Sequence, residues 1–372
     1  MAEIPVEYNP WVDLLRPYEP GRPVEELARE LGVAPQAVVK LASNENALGP
    51  SPAAVRALRE AASRMHLYPD GSCFYLAQRI AQKLGVTSDW LVFGTGSNEL
   101  IVLLGLVFLR PGVAAVMSEK SFLIYRLVTR MFGAEPIEVS MKGWTIDPGA
   151  LQEAIGEDCR LVFIANPNNP TGTAVSRENL EAFLDRLPDH VLAVVDEAYV
   201  EFMPEGQAPD LISRMREGKM VCSLRTFSKI YGLAGLRIGY CVAPPPVASL
   251  LQRVRQPFNV SSVAQAAALA ALEDQEHVRR TLQLVASERR YLESELRGLG
   301  MEYVRSVTNF MLVRTGNGLQ TFAALQERHI IVRPMDVYGL PDFVRITIGT
   351  HEQNRRLISV LRDLPGGPGR RT

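Results

Sequence analysis

The stretch that decides the fold is Leu161-Val162-Phe163-Ile164-Ala165, followed by Asn166-Pro167-Asn168-Asn169-Pro170-Thr171-Gly172 and a helical segment from Arg177 to Arg186. An apolar run of strand length, a turn-rich loop and a helix follow one another directly. The same unit recurs on both sides. Leu91-Val92-Phe93 precedes Gly94-Thr95-Gly96-Ser97-Asn98 and a helix beginning near Glu99, and Val113 to Met117 precedes Ser118 to Ser121 and a helix near Tyr125. Downstream, Val191 to Val195 leads into Asp196-Glu197-Ala198-Tyr199, and Met220 to Leu224 leads into Arg225-Thr226-Phe227-Ser228-Lys229. These strands are continuously apolar rather than alternating. Both of their faces are therefore buried, as in a mostly parallel sheet covered by helices, and the predicted class is α/β.

Upstream of this centre the chain is Pro-rich and reads as an extended arm, interrupted by a short helix from Val24 to Leu31 that Gly32 stops. Helical spacing returns from Ala53 to Met65 and from Phe74 to Leu84, separated by the turn Tyr68-Pro69-Asp70-Gly71. After Pro257 the character changes. An Ala-rich helix (Gln265 to Leu272) leads into a long one (Glu276 to Leu299) whose apolar stripe is Val278, Leu282, Val285, Leu292, Leu296 and Leu299. Strands follow at Phe310 to Val313, Ile330 to Arg333 and Phe343 to Ile348; in the last, Val344, Ile346 and Ile348 share one face and Arg345 and Thr347 the other. The expected organisation is an arm (1–46) joining a small α+β domain (258–372), with a large cofactor-binding domain (47–257) between them. The Gly/Pro/Arg-rich tail from Pro365 to Thr372 is expected to be disordered.

Size and charge exclude several classes. The 372 residues exceed one compact domain, and 47% apolar with 22% charged residues is the balance of a globular chain, not a fibrous or disordered one. Forty basic residues against 41 acidic ones leave no excess to neutralise a phosphate backbone, so nucleic acid is not expected as a partner. The four cysteines (Cys73, Cys159, Cys222, Cys241) lack CxxC pairing or a disulfide framework, which fits a reducing, cytoplasmic setting. Met1 to Leu15 carries Glu3, Glu7 and Asp13 without a basic-then-apolar order, so no signal peptide is expected. The longest apolar run, Leu100 to Leu109, is about half a membrane span and reads as a buried helix. No metal is expected, because the five histidines lack ligand spacing.

In an open parallel sheet, ligands bind beyond the carboxyl ends of the strands. Singly, the residues in those loops have bland readings: Asp196 as a turn residue, Lys229 as a solvated cation, Asn-Pro-Thr-Gly as turn chemistry. Their coincidence at one edge changes the reading. Gly94-Thr95-Gly96-Ser97-Asn98-Glu99, with Glu119 about 20 residues on, approaches a dinucleotide fingerprint, but Glu99 stands where the third glycine belongs. A single phosphate needs only backbone N–H groups at a helix start, so the loop reads as a monophosphate cradle. Ser228 and Arg237, flanking Lys229, can hold phosphate oxygens. Lysine forms Schiff bases with carbonyl compounds, and a nearby cation makes it more nucleophilic. A phosphorylated carbonyl compound, an acid for a pyridine nitrogen (Asp196) and a lysine together describe pyridoxal 5'-phosphate, PLP.

The segments Asn44-Glu45-Asn46-Ala47-Leu48-Gly49-Pro50, Tyr68-Pro69-Asp70-Gly71, Asn168 to Gly172, Asp196 to Tyr199, Ser228-Lys229 to Arg237 and Val344-Arg345-Ile346-Thr347-Ile348-Gly349 resemble the histidinol-phosphate aminotransferase family, fold-type-I PLP enzymes, in order from about Leu15 to Leu361. The resemblance implies that Lys229 bonds to the cofactor and then shuttles the substrate's α-proton. It implies that Asp196 pairs with the pyridinium nitrogen, that Asn169 and Tyr199 hold the ring's 3′-oxygen, and that Phe122 stacks on the ring where tyrosine is common. The phosphate falls to Ser97, Asn98, Ser228, Arg237 and a Tyr68 donated by the second subunit of a homodimer. For substrate it implies Arg345, with Arg333 beside it and Tyr18 closing over. A surface arginine pair and a tyrosine that staples the arm are the plainer alternatives. Ala47 replaces a frequent proline, and Asn98 stands where an acid is common.

The implied reaction is amino transfer between L-histidinol phosphate and 2-oxoglutarate in histidine biosynthesis. An aromatic amino-acid aminotransferase and a PLP-dependent threonine-phosphate decarboxylase share the scaffold as alternatives. A nicotinamide-dependent dehydrogenase using the 94–99 loop is disfavoured by Glu99, and a PLP-binding regulator by the lack of a basic helix-turn-helix.

Overall fold

The computed structural model describes residues 6–15, 17 and 21–364. A two-residue strand, β1 (Val39–Lys40), precedes the central sheet. That sheet is built from β2 (Leu91–Gly94), β3 (Ala114–Ser118), β4 (Glu135–Val139), β5 (Cys159–Ala165), β6 (Leu192–Asp196), β7 (Val221–Thr226) and β8 (Gly239–Val242), in the spatial order β2-β8-β7-β6-β5-β3-β4. Only β8 runs antiparallel to its neighbours; β3, β4, β5, β6 and β7 pair in parallel. Because β8 reverses between β2 and β7, the carboxyl ends of β2, β3, β5, β6 and β7 share one edge of the sheet.

The continuous apolar runs have a structural cause. Val162, Ile164, Ala193 and Val195 enter one buried layer, and Leu161, Phe163, Leu192 and Val194 enter the other. Burying each large side chain stabilises the fold by about 1.5–3 kcal/mol. The helix Ser97–Phe108 buries Leu100, Ile101 and Leu104 against the second layer, while Leu106 faces outward. Two strands of this central sheet escaped the sequence pattern. β4 is a partly exposed edge carrying Glu135, Pro136 and Glu138, and β8 hides behind a glycine-containing motif.

The remaining strands are β9 (Tyr303–Val304), β10 (Phe310–Arg314), β11 (Ile330–Ile331), β12 (Arg333–Pro334) and β13 (Phe343–Thr347). An antiparallel sheet in the order β12-β13-β10-β9 stands apart from the central one, and β1 pairs with β11 in parallel. The run expected as one strand at 330–333 is therefore divided between two sheets, because Val332 separates a β1-pairing segment from a β13-pairing one. The alternation read in β13 holds, but neither face is solvent: Arg345 and Thr347 are as enclosed as Val344 and Ile346.

Helix ends agree closely with their punctuation. Val24–Leu31 and Phe74–Leu84 stop at Gly32 and Gly85, both left-handed, while the helix expected to reach Met65 ends at Ala62. The long helix spans Gln275–Gly298, started by the Asp274 side chain. The N-terminal segment packs beside the central sheet and contributes a strand to the two-stranded one. Trp11 Nε1 donates to the Met131 carbonyl at 2.9 Å beside the central sheet, and β1 joins β11 further on. The tail beginning at Pro365 lies outside the described residues. Among the described residues no helix is long and apolar enough to cross a membrane.

Candidate active site

A cavity of about 240 Å³ opens beyond the shared carboxyl edge. One end is formed by Ser97 and Asn98, the first residues of the helix Ser97–Phe108, together with Ser228 and Arg237. Arg237 Nη1 lies 3.5 Å from Ser228 Oγ, and Nη2 donates to the Thr95 carbonyl at 3.4 Å. Gly96, at φ +81°, permits this approach: a Cβ there would stand 2.5 Å from Arg237 Nη2. Helix-start N–H groups, three hydroxyl or amide side chains and a guanidinium form a donor set for one phosphate. Glu99 does not enter that cradle. Its Oε2 accepts from the Thr95 hydroxyl and from Asn259 Nδ2, each at 2.9 Å, and ties the loop to its own helix.

The middle of the cavity carries Phe122 and Asp196. Asp196 ends β6 and is 5% exposed; Tyr125 donates to its Oδ2 at 2.8 Å and the Ala198 N–H to its Oδ1 at 3.1 Å. Burial pushes this carboxyl up to about 6, even though both donors favour its charged form. Lys229 follows β7 by one short turn, with Nζ donating to the Ser43 carbonyl at 3.2 Å and standing 5.7 Å from the Tyr199 ring centre. Burial, with the cations of Arg345 and Arg237 added, brings its amine down to about 8. A lysine so placed is partly neutral near neutral pH and can act as nucleophile or base.

The far end holds Tyr199, Asn169, Arg345 and Arg333. Tyr199 accepts from Asn44 Nδ2 at 2.9 Å, and burial raises its phenol above the ordinary value. Arg345 is 7% exposed, donates from Nη1 to Asn169 Oδ1 and from Nη2 to the Ala42 carbonyl at 2.8 Å, and packs 5.4 Å from the Phe310 ring centre. Its buried Nε has no hydrogen-bond partner, and among the described residues no carboxylate pairs with it. Arg333 is the β-ladder partner of Arg345.

Eleven of the residues singled out in the sequence thus line one cavity. Two do not. Tyr68 is 85% exposed, stacked on Phe258 at 5.0 Å, and is not part of this chain's own cavity. Tyr18 lies outside the described residues. Sequence reasoning missed Tyr125 and Asn44. Tyr125 lies in the first turn of the helix Ile124–Met131, three residues after Phe122, and the two rings meet edge to face at 5.7 Å. Asn44 (φ +54°) sits in the quoted 44–50 segment, and its N–H donates to Thr347 Oγ1 at 2.8 Å, fastening arm to small sheet. Among the described residues no cluster of His, Cys, Asp or Glu is arranged for a metal ion.

A one-phosphate cradle, a flat slot with a buried acid and a depressed lysine in a single small cavity fit PLP as the bound group. The chain belongs to the class I and II aminotransferases, whose family model, "Aminotransferase class I and II", matches residues 36–361. Within that class it is 48% identical to the histidinol-phosphate aminotransferase of Akkermansia muciniphila, over 93% of this chain and 95% of that protein. It is 44% identical to the enzyme of the same name from Moorella thermoacetica, over 94% and 91%. The crystal structure of histidinol-phosphate aminotransferase from Sinorhizobium meliloti in complex with pyridoxal-5'-phosphate superposes with a TM-score of 0.89 at 28% identity, covering 97% of this chain and 98% of that one.

Proposed function

We propose that the chain transfers an amino group between L-histidinol phosphate and 2-oxoglutarate, giving imidazole acetol phosphate and glutamate, in histidine biosynthesis. PLP is the cofactor, and the enzyme works as a cytoplasmic homodimer. The supporting observation is Arg345: a buried guanidinium beside Lys229 whose Nε has no partner and which has no carboxylate of its own among the described residues. A buried cation left in that state is costly until an anion arrives. Its planar fork accepts carboxylate and phosphate alike, as a transaminase alternating between these two substrates requires.

The cofactor, when bound, supplies an aldehyde and an electron-withdrawing ring that lets the substrate's α-carbon lose a proton. The chain's residues do the rest. Of the cavity's lining residues, Ser97, Asn98, Ser228 and Arg237 would hold its phosphate, Phe122 would lie against its ring, Asp196 would hold a proton on the ring nitrogen, and Asn169 and Tyr199 would bind the ring oxygen. Lys229 is the catalytic group: with its amine brought down to about 8 it is partly neutral near neutral pH and would take the α-proton of the amino donor. Arg345, with Arg333 and Tyr18, orients the substrate, and the partner copy adds Tyr68 to the phosphate site. Residues 47–257 form the cofactor-binding domain, and 1–46 with 258–372 the part that brings Arg345 over it.

The deciding assay compares kcat/KM for histidinol phosphate and phenylalanine with 2-oxoglutarate as acceptor. A preference for histidinol phosphate is expected, because a dianionic phosphate draws more charge-assisted hydrogen bonds from a guanidinium pair than the single carboxylate of phenylalanine. A preference for phenylalanine contradicts the assignment.

A further inference from the structure

The strongest feature left unused lies behind the site, on the opposite face of the sheet from Asp196. Asp196 and Leu224 are the last paired residues of β6 and β7, and the Glu197 N–H donates to the Leu224 carbonyl at 2.9 Å as the final backbone bond between the two strands. Immediately beyond it, Glu197 Oε2 accepts from Arg225 Nε at 2.8 Å and from the Ser223 hydroxyl. Glu197 is 1% exposed. The pair therefore sits between the residue that follows Asp196 and the residue four before Lys229.

An ion pair with one member enclosed and the other partly exposed is poor support for stability, because well-packed apolar residues often do as well. Its position suggests another role. Glu197 places a negative charge one residue from Asp196, in a low-dielectric interior where such a charge opposes ionisation of its neighbour. Arg225 cancels that charge. We propose that Arg225, itself partly exposed, is a positioning residue for the reaction, acting through its ion pair with the buried Glu197 to keep Asp196 ionised against the cofactor ring. The proposal rests on the reading of Asp196 given above.

The other charged and titratable groups around the pair are accounted for. Tyr240 is the ladder partner of Arg225. Glu201, pushed up to about 7 by burial, faces Arg225 and Glu197, with Lys83 nearby. Tyr231 lies beside Glu201 and Arg225 and stays protonated because burial raises its phenol. On its own face Asp196 meets Tyr125, Tyr199 and Lys229. Removal of Arg225 leaves two carboxylates together, and Glu201 takes up a proton and softens the effect. Removal of Glu197 instead takes away the carboxylate next to Asp196 and leaves Arg225 facing only Glu201, which favours the Asp196 anion. The two substitutions should act with opposite signs.

The test is binding of 4′-deoxypyridoxine 5′-phosphate, which has no aldehyde to react with Lys229, to the cofactor-stripped chain between pH 5 and 9. Titration of the probe itself is common to all variants and drops out of the comparison. Arg225→Met should move the acid limb of binding upward and Glu197→Gln should move it downward, each by on the order of half a unit, while Arg225→Lys stays near wild type. Thermal unfolding of each variant reports folding separately. If Arg225→Met does not fold, the downward shift in Glu197→Gln still decides. Limbs that coincide with wild type, or that move the same way in both variants, overturn the proposal. A wild-type chain that does not bind the probe at any pH overturns the PLP reading itself.

Discussion

Tyr125 donates its hydroxyl to Asp196 Oδ2 at 2.8 Å, with both side chains enclosed and the tyrosine ring stacked on Phe163 at 4.8 Å and 3°. The stack fixes the ring, so the hydroxyl meets the carboxylate without a further loss of rotamer freedom. Tyr125→Phe keeps the stack and deletes a hydrogen bond to a charged acceptor. Cofactor affinity should fall about tenfold, with the acid limb of activity moved to higher pH, since such bonds contribute about 1.5–3 kcal/mol. Equilibrium dialysis at several pH values checks it, and unchanged affinity would show that the hydroxyl does not support Asp196.

Lys229 and Asp196 together set a pH window of weakness in the cofactor-free chain. The lysine is lowered from 10.5 to about 8, so its stabilising contribution is present above 10.5 and is lost as pH falls through 8. The aspartate is raised from 3.8 to about 6, so its contribution is present below 3.8 and lost as pH rises through 6. Both are missing between pH 6 and 8. Lys229→Met should therefore stabilise the cofactor-free chain at pH 7 by on the order of 2 kcal/mol while abolishing turnover, with the gain fading towards pH 10. Thermal unfolding across this range is the measurement. A variant less stable than wild type at pH 7 contradicts the burial argument.

The exposed Tyr68 makes a prediction that needs two chains. Neither Lys229→Ala nor Tyr68→Ala homodimers should have full activity, yet refolding them together should create hybrids with one intact site. An equal mixture should recover about a quarter of wild-type sites, by the statistics of symmetric dimers. No recovery above the Tyr68→Ala baseline would place Tyr68 outside the partner's site.

Arg345→Lys keeps the charge but loses the planar fork that spans Asn169 and the Ala42 carbonyl. Steady-state kinetics should show kcat/KM reduced about 100-fold for both histidinol phosphate and 2-oxoglutarate. A loss confined to one substrate would separate the two anion sites that Arg345 is proposed to unite.

The central sheet was legible because its strands are buried on both faces and need no partner to be recognised, and the loops after β2, β5, β6 and β7 delivered Ser97, Asn169, Asp196 and Lys229 to one edge by topology alone. Polar or composite elements were not. β4 is an edge whose glutamates mask its strand character, and the 330–333 run looks like one strand until β1 and β13 divide it. Tyr125 reads as a core aromatic, since its hydrogen bond to Asp196 joins residues 71 positions apart. The Glu197–Arg225 pair was hidden for the same reason: two ordinary charges in sequence become an ion pair only when β6 and β7 lie side by side.

The central claim is that the Lys229 amine bonds covalently to PLP. Borohydride reduction of the cofactor-saturated protein, followed by peptide mass mapping, should place a single pyridoxyl group on the peptide containing Thr226-Phe227-Ser228-Lys229 and leave Lys229→Ala unlabelled. A reduced group on another lysine, or none on a saturated sample, would contradict the account.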